Sequence, residues 1–146
     1  MHTHFRYYLR VRYFECDAQK VVFNARYGDY VDLAATYFLK TVLAKKSIAI
    51  EAFDFQTVKH TIEWQAPARF HDVLCISVHI TQVGNTSFTF ATEMRDAHAG
   101  NIVATTETVC VAVDGTTLTK KPLSEEIKAL LLAGAPGVQV DHAGFL

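Results

Sequence analysis

The chain lacks the features that mark extracellular, membrane-spanning and nucleic-acid-binding proteins. Its 146 residues include only three cysteines, with no CxxC pair, which argues against a disulfide framework and favours free thiols. No apolar run reaches the roughly 18 residues that a membrane-spanning helix needs, and the N-terminus lacks the apolar core of a secretion signal. The net charge of −1 gives no electrostatic basis for binding nucleic acid or an anionic membrane. These absences predict a cytoplasmic protein with no nucleic-acid partner and no membrane span.

Internal repeats, linkers and low-complexity tracts are also missing, and the composition is that of an ordinary globular chain. Half of the residues are hydrophobic and a fifth are charged. A chain of this length is expected to form one domain, 1–146, with a substantial core. The aromatic share of 12% suggests a large apolar core or a buried interface. The segment 134–146 shows little pattern and is expected to be mobile or to cover a neighbouring subunit.

Two different periodicities follow one another in the first third of the chain. Residues 5–14 alternate between two faces, which predicts a strand with one face in solvent, and Tyr8 belongs to that wet face. Residues 27–43 then carry apolar side chains at helical spacing and over most of the remaining surface. A helix that is apolar nearly all round is expected to be buried, wrapped by a sheet.

The rest of the chain alternates as strands do. From residue 56 onward the apolar alternation is interrupted by turn residues at 83–85, 98–101 and 114–115, which predicts an antiparallel meander. Ser124 is expected to cap a short helix that ends near Leu132. The predicted class is therefore α+β, with a five-stranded antiparallel sheet, a long helix and a short C-terminal helix.

A lone carboxylate, Asp17, follows the first strand, and Asn24 stands where the long helix is expected to begin. A helix N-terminus offers unpaired backbone N–H groups and a partial positive charge. A carboxylate at such a mouth is a candidate general base or nucleophile beside an oxyanion site. The simpler alternatives are a turn residue or an N-cap for Asp17 and a plain N-cap for Asn24.

Two neighbours of Asp17 have reactive groups of their own. Cys16 is a possible nucleophile, but a cysteine nucleophile needs a base such as histidine nearby, and the sequence shows no such pairing. Glu15 is a possible second carboxylate. An outward salt bridge from Glu15 to Arg12 or Arg69 is the simpler interpretation.

Two stretches resemble a known family. Residues 17–27 read Asp-Ala-Gln-Lys-Val-Val-Phe-Asn-Ala-Arg-Tyr. This stretch is similar to the Asp-x-x-Gly-Val-Val-Tyr-His-x-x-Tyr pattern of the 4-hydroxybenzoyl-CoA thioesterase-like branch of the hotdog-fold thioesterases. Residues 67–74, Pro-Ala-Arg-Phe-His-Asp-Val-Leu, resemble the family's Pro-Ala-Arg-x-x-Asp-x-Leu block. The resemblance follows the element order over about residues 5–132 and implies a sheet curled around a central helix.

The resemblance also implies a chemistry. It makes the chain an acyl-CoA thioesterase in which Asp17 is catalytic and the backbone N–H of Asn24 points at the thioester oxygen. Two positions depart from the family pattern: Lys20 stands where the family has glycine, and Asn24 replaces a common histidine. A left-handed turn at Lys20 is therefore expected to be strained or reshaped.

Four residues are candidates for lining the acyl pocket. His60 and Trp64 share the apolar face of a strand that runs along this pocket in the family, although a satisfied core residue is the more common role for such a histidine. Phe23 and Tyr27 flank the start of the helix, and packing in the core is the alternative for Tyr27. These aromatic residues fit both aryl and medium-chain acyl groups.

The phosphates of coenzyme A have fewer candidate partners. The turn at 83–87, which is basic in some relatives, has no charge here. Lys120 and Lys121 are the best remaining candidates, and a solvated strand end is the alternative. No histidine or cysteine spacing predicts a metal site, and the proposed chemistry needs no cofactor.

Two other functions compete with an acyl-CoA thioesterase. A thioesterase acting on acyl carrier protein explains the uncharged turn, and a non-catalytic acyl-binding hotdog module explains the departures at Lys20 and Asn24. In each case the resemblance implies self-association as a dimer or tetramer, with the sheets joined and each site shared between subunits.

Overall fold

Six strands in one mixed sheet and two helices make up the fold of residues 3–146, the part of the chain that the computed structural model describes. In chain order the elements are strand β1 Phe5–Arg10, helix α1 Tyr27–Ala44, strands β2 Phe55–Trp64, β3 Val73–Val83, β4 Ser87–Asp96 and β5 Ile102–Ala112, helix α2 Glu125–Ala133 and strand β6 Gln139–Asp141. The predicted α+β class and element order are confirmed. No helix within residues 3–146 is long and apolar enough to cross a membrane.

The sheet has the strand order β2-β5-β4-β3-β1-β6. Its first five strands pair antiparallel, as predicted, but β6 pairs parallel to β1 and adds a sixth strand. The five-stranded prediction was therefore incomplete, because the segment 134–146 contributes a strand that has no alternating pattern. At the two ends of the β1–β6 ladder, the Arg6 N–H donates to the Val138 carbonyl and the His142 N–H donates to the Tyr8 carbonyl.

The same tail changes the environment of β1. Tyr8, predicted to face solvent, is buried because its ring stacks on Phe145 and its hydroxyl donates to the Gln139 side chain. β1 also ends at Arg10, earlier than the alternation suggested. Residues 13–15 form a single 3₁₀ turn instead, and the chain there bends away from the sheet.

Helix α1 packs against the inner face of the sheet. Its core contacts include Phe38, whose ring meets Phe5 of β1 edge-on at a centroid distance of 5.7 Å. The side of α1 that faces the sheet is buried, whereas Leu33 on the opposite side is exposed, so the sheet covers the helix on one side. The buried residues of the helix are Tyr27, Tyr30, Val31, Ala34, Ala35, Phe38, Leu39, Val42 and Leu43.

Strand β2 differs from the other long strands because it forms an outer edge of the sheet and has almost no buried residue. A bulge between Thr57 and Lys59 interrupts its alternation, and the Val58 side chain there is 61% exposed. At the other end of the strand, Trp64 is 49% exposed. A ten-residue edge with exposed apolar side chains is a surface that native proteins usually cover.

Candidate active site

The segment that contains Asp17 forms a tight hairpin between β1 and α1. The Phe23 N–H donates to the Glu15 carbonyl at 2.9 Å, and the Asp17 N–H donates to the Val21 carbonyl at 2.9 Å. The tip is a turn closed by the Lys20 N–H on the Asp17 carbonyl, also at 2.9 Å. This hairpin, residues 15–23, therefore leads directly into the mouth of the helix.

Lys20 adopts the left-handed conformation, with φ at +68°. A turn followed by a left-handed residue is a common three-residue hairpin connection, and glycine is the usual residue at that position. The turn therefore forms even though lysine replaces the family glycine. Its cost is that Lys20 adopts a left-handed conformation, which is unfavourable for an L-amino acid.

The two sequence motifs meet in space. The Val22 N–H donates to the Ala68 carbonyl at 2.8 Å, and Val21 forms a bridge with Arg69. The second block is itself closed by the Arg69 N–H, which donates to the Asp72 carboxylate at 2.8 Å. The block 67–74 thus supports the hairpin from one side.

The Asp17 carboxylate is partly exposed and lies beside an aromatic cavity. One of its oxygens accepts a hydrogen bond from the Gln19 N–H at 2.8 Å, so the other oxygen has no partner within residues 3–146. The cavity has a volume of about 330 Å³. It is lined by Tyr13, Phe14, Cys16, Asp17, Ala18, Lys20 and Phe70.

Sequence reasoning missed the aromatic walls of this cavity. The strand predicted over residues 5–14 includes Tyr13 and Phe14, and Phe70 stands at an unspecified position of the second motif. In the structure the rings of Tyr13 and Phe70 meet edge-on at 5.6 Å, and both side chains are exposed. The available signal was the position of two aromatic residues within four residues of Asp17.

The N-terminus of the helix has backbone N–H groups that are not capped by a side chain. Residues 24–26 form a 3₁₀ turn that continues into α1, and the residue at the N-cap is Phe23, with no side-chain cap. The interpretation of Asn24 as an N-cap was therefore wrong, because Asn24 already lies inside the first turn. Within residues 3–146, the backbone N–H groups of Asn24 and Ala25 have no hydrogen-bond acceptor. Such unpaired groups can receive negative charge.

Glu15 is buried, with 4% of its surface exposed, and its carboxylate is fully engaged. It accepts hydrogen bonds from the Arg12 N–H at 2.8 Å, the Arg12 guanidinium at 2.9 Å and the Tyr30 hydroxyl at 2.8 Å. Burial by itself raises the pKa of Glu15, but these donors outweigh it and hold that pKa below its ordinary value. The salt bridge to Arg12 was predicted correctly; its outward direction was wrong, because Tyr30 of α1 draws the carboxylate into the core.

Cys16 is poorly suited to act as a nucleophile. Burial, followed by the negative charges of Glu15 and Asp17, raises the pKa of its thiol, so the thiol stays protonated near neutral pH. All three cysteines are free, as predicted.

Phe23, Tyr27 and Trp64 are not among the residues that line the cavity beside Asp17. Phe23 and Trp64 are each about half-exposed. Tyr27 is buried behind them and meets the Trp64 ring edge-on at 6.0 Å. Tyr27 therefore supports Trp64 from the core, and Phe23 is exposed directly before the first turn of the helix.

His60 is exposed at the same edge. Its Nδ1 hydrogen-bonds the Thr108 hydroxyl at 2.8 Å, and its ring lines a cavity of about 290 Å³ between β2 and α1. The more common core role for this histidine is excluded, because its side chain is exposed on the edge strand β2. Asp32 lines the same cavity, and burial together with the charge of Asp29 raises its pKa.

Lys120 and Lys121 lie far from Asp17 within one chain. Lys120 forms a bridge with Val113, and the Lys121 N–H donates to the Ala112 carbonyl, at the end of β5 that pairs with Phe55. Trp64, near the hairpin, pairs with the opposite end of β5, about 26 Å away for eight residues of strand. The structure therefore does not bring these lysines to Asp17 within a single protomer.

Comparison with known proteins identifies the family. The sequence profile of the thioesterase-like superfamily matches residues 2–131. The chain belongs to this superfamily. Acyl-CoA thioester hydrolase YbgC of Escherichia coli is 31% identical to this thioesterase-like chain over 128 residues, which cover 87% of the chain and 95% of the relative.

Solved structures support the hotdog fold of this thioesterase-like chain. YbaW, a probable thioesterase from Escherichia coli, superimposes with a TM-score of 0.76 at 23% identity, over 88% of this chain and 97% of its own. Slr0204, a 1,4-dihydroxy-2-naphthoyl-CoA thioesterase from Synechocystis, does so with a TM-score of 0.73 at 21% identity, over 87% and 94%. At these identities the likeness concerns the fold.

Proposed function

We propose that this chain hydrolyses acyl-CoA thioesters, with Asp17 and the backbone N–H of Asn24 as its catalytic groups. The observation that carries the proposal is the hairpin 15–23, because it holds a carboxylate with a free oxygen beside an open helix mouth. Identity to an acyl-CoA thioester hydrolase over 87% of the chain supports the same activity.

The reaction adds water across the thioester C–S bond by one of two routes. Either Asp17 removes a proton from the attacking water, or its carboxylate attacks the carbonyl carbon and water then hydrolyses the resulting anhydride. In both routes negative charge develops on the carbonyl oxygen, where the N–H of Asn24 would donate to it. The C–S bond then breaks, and the thiolate of coenzyme A leaves and takes up a proton.

The acyl group is proposed to be aryl or medium-chain, because Asp17 lines an aromatic cavity with Phe14 and Phe70. Phe23 and Trp64 expose further aromatic surface, and Tyr27 supports Trp64 from behind. With His60 further along β2, these exposed rings offer flat contacts that suit rings as well as alkyl chains. A thioester substrate has two parts to be held, the acyl group and the pantetheine chain. We propose that the cavity beside Asp17 binds one of them and the exposed rings of Phe23 and Trp64 bind the other.

The active form is proposed to be a homodimer joined at the free edge of β2. Antiparallel pairing of two β2 strands about a two-fold axis would satisfy the open backbone groups and cover Val58. It would also bring the Phe55 end of one strand to the partner's Trp64 end. Lys120 and Lys121, at the Phe55 end, would then lie near the partner's site rather than near Asp17 of their own chain.

This arrangement gives the two lysines a role in binding the phosphates of coenzyme A. Both side chains are exposed, and ammonium groups are common partners of phosphate. A thioester of acyl carrier protein is the alternative substrate, supported by the uncharged turn at 83–87. The cytoplasm remains the proposed location, in keeping with three free cysteines.

Thiol release from short, medium, long and aryl acyl-CoA esters tests the proposal. Asp17→Asn is expected to lower kcat by about 100-fold or more, the scale of losing a general base. Asp96→Asn is the matched control, because Asp96 also accepts backbone N–H groups in an exposed turn but lies outside the site. The control is expected to retain wild-type turnover.

Three other outcomes would change the assignment. Equal turnover in wild type and Asp17→Asn would remove Asp17 from the catalytic groups. Turnover on acyl carrier protein alone would select the carrier-protein thioesterase. Tight binding of acyl-CoA by folded wild type without turnover on either substrate would select the acyl-binding module.

A further inference from the structure

One buried residue touches both halves of the proposed site. The Glu15 carbonyl accepts the N–H of Phe23, the residue directly before the Asn24 donor, and Glu15 lies two residues before Asp17. Its carboxylate accepts a hydrogen bond from the hydroxyl of Tyr30, the fourth residue of α1. The hairpin and the helix are thus tied together at one side chain.

Burial of the Glu15 carboxylate costs free energy, so its contribution to stability alone does not explain why it is there. A buried carboxylate loses hydration that its ion pair only partly restores, and apolar residues of similar volume often stabilise a protein as well or better. Here the charge is satisfied by Arg12, three residues earlier, and by Tyr30, so the network fixes the angle between hairpin and helix. A catalytic carboxylate and an oxyanion donor need that relative placement to within a fraction of an ångström.

We infer that Glu15 is the positioning residue of this site, holding Asp17 and the N–H of Asn24 in register through its bonds to Tyr30, Arg12 and Phe23. The inference rests on the proposed function. Glu15 is not expected to contact the reacting atoms, because its carboxylate is bonded to its own donors at the wall of a separate cavity of about 400 Å³, which Tyr30 also lines and Asp17 does not. Its effect is therefore expected in kcat, with little change in KM.

Tyr30→Phe is the sharpest test, because it removes one hydroxyl and preserves the ring. We expect kcat on the best acyl-CoA ester to fall about ten-fold, since small misplacements of catalytic groups have effects of this size or larger. KM is expected to stay within about two-fold of wild type. Tyr7→Phe is the matched control: Tyr7 is equally buried and lines the same cavity as Tyr30 and Glu15, but its hydroxyl hydrogen-bonds His142 at 2.9 Å and not Glu15.

The two tyrosine variants decide between positioning and general stability. Each loses one hydroxyl with one partner, but the partner of Tyr30 is a buried carboxylate, so the thermal midpoint of Tyr30→Phe should fall further than that of Tyr7→Phe. The values of kcat are therefore compared at a temperature well below both midpoints, where both variants are folded. A fall in kcat that occurs in Tyr30→Phe and not in Tyr7→Phe supports the inference. Equal kcat in both variants, or a fall that appears in KM instead, would overturn it.

Conservative replacement of Glu15 supplies a second readout. Glu15→Gln keeps an oxygen that can accept from Tyr30 and is expected to retain more kcat than Glu15→Ala by about ten-fold. If Glu15→Ala does not fold, the Tyr30→Phe comparison still decides. Glu15→Gln and Glu15→Ala with the same kcat, both folded, would contradict a role through hydrogen bonding.

Amide hydrogen exchange separates failure of this inference from failure of the proposed function. The Phe23 N–H is bonded to Glu15, so its exchange rate is expected to rise at least about ten-fold in Tyr30→Phe and to stay unchanged in Tyr7→Phe. This readout needs no turnover. A protein that hydrolyses no thioester but shows this exchange pattern would retain Glu15 as the clamp of the hairpin and lose only the activity. Unchanged exchange in Tyr30→Phe would reject the clamp.

Discussion

At the scale of single residues, Lys20 holds a conformation that suits glycine better than any other residue. Lys20→Gly is expected to raise the free energy of unfolding by about 0.5–1 kcal/mol, because relief of the left-handed strain exceeds the added chain entropy. Urea unfolding measures the change. Lys120→Gly, at a position outside the left-handed region, is the control and should lower stability by about 0.5–1 kcal/mol. Equal changes in the two variants would contradict the strain at Lys20.

The sequence predicts the turn around Asp17 but not the inward direction of Glu15, for a physical reason. Asp17 lies in a local hairpin, and its neighbours in the chain define the turn that holds it. The burial of Glu15 depends on Tyr30, which lies 15 residues further on and reaches it only after the hairpin and α1 have packed. An outward ion pair with Arg12 and an inward one look the same in a sequence, since both need the same spacing.

At the scale of secondary structure elements, β6 protects β1. Deletion of residues 137–146 is expected to lower the free energy of unfolding by about 3 kcal/mol, because Tyr8 loses its cover and the ladder to β1 is removed. The same deletion should promote association at the exposed β1 edge. Urea unfolding and sedimentation velocity measure the two effects.

The control for this deletion keeps the strand and removes one contact. Gln139→Ala takes away the acceptor of the Tyr8 hydroxyl and should cost about 1 kcal/mol without new association. If the deletion costs no more than Gln139→Ala and adds no association beyond that of the wild-type protein, β6 has no protective role.

Periodicity predicted the long elements well and the edges poorly. Helix α1 and strands β3, β4 and β5 are buried on one face, so their patterns are set by local contacts with the core. Strand β6 is three residues long, too short for any alternation to show. The edge position of β2 could not be predicted either, because an edge strand can show the same alternation in sequence as a central strand.

At the scale of the whole molecule, the proposed dimer makes a prediction about mixed subunits. Asp17→Asn and the double variant Lys120→Ala/Lys121→Ala are each expected to have weak activity at low acyl-CoA concentration. Equal mixing with subunit exchange should restore about a quarter of wild-type activity, because half of the dimers are hybrids with one intact shared site. Activity no higher than the mean of the two parents would mean that each site uses one chain only. Exchange of tagged subunits, followed by mass, confirms that hybrids have formed.

The distance along the chain between β1 and β6 sets the order in which the sheet can fold. Strands β3, β4 and β5 follow one another through short turns, so their hairpins can form early. Tyr8 and Gln139, by contrast, are 131 residues apart, so this pairing closes the longest loop in the sheet. β6 is therefore expected to dock last. Until β6 docks, the edge of β1 is open in each partly folded molecule. The β6 strand of a second partly folded molecule can then pair with it, which gives a domain-swapped dimer.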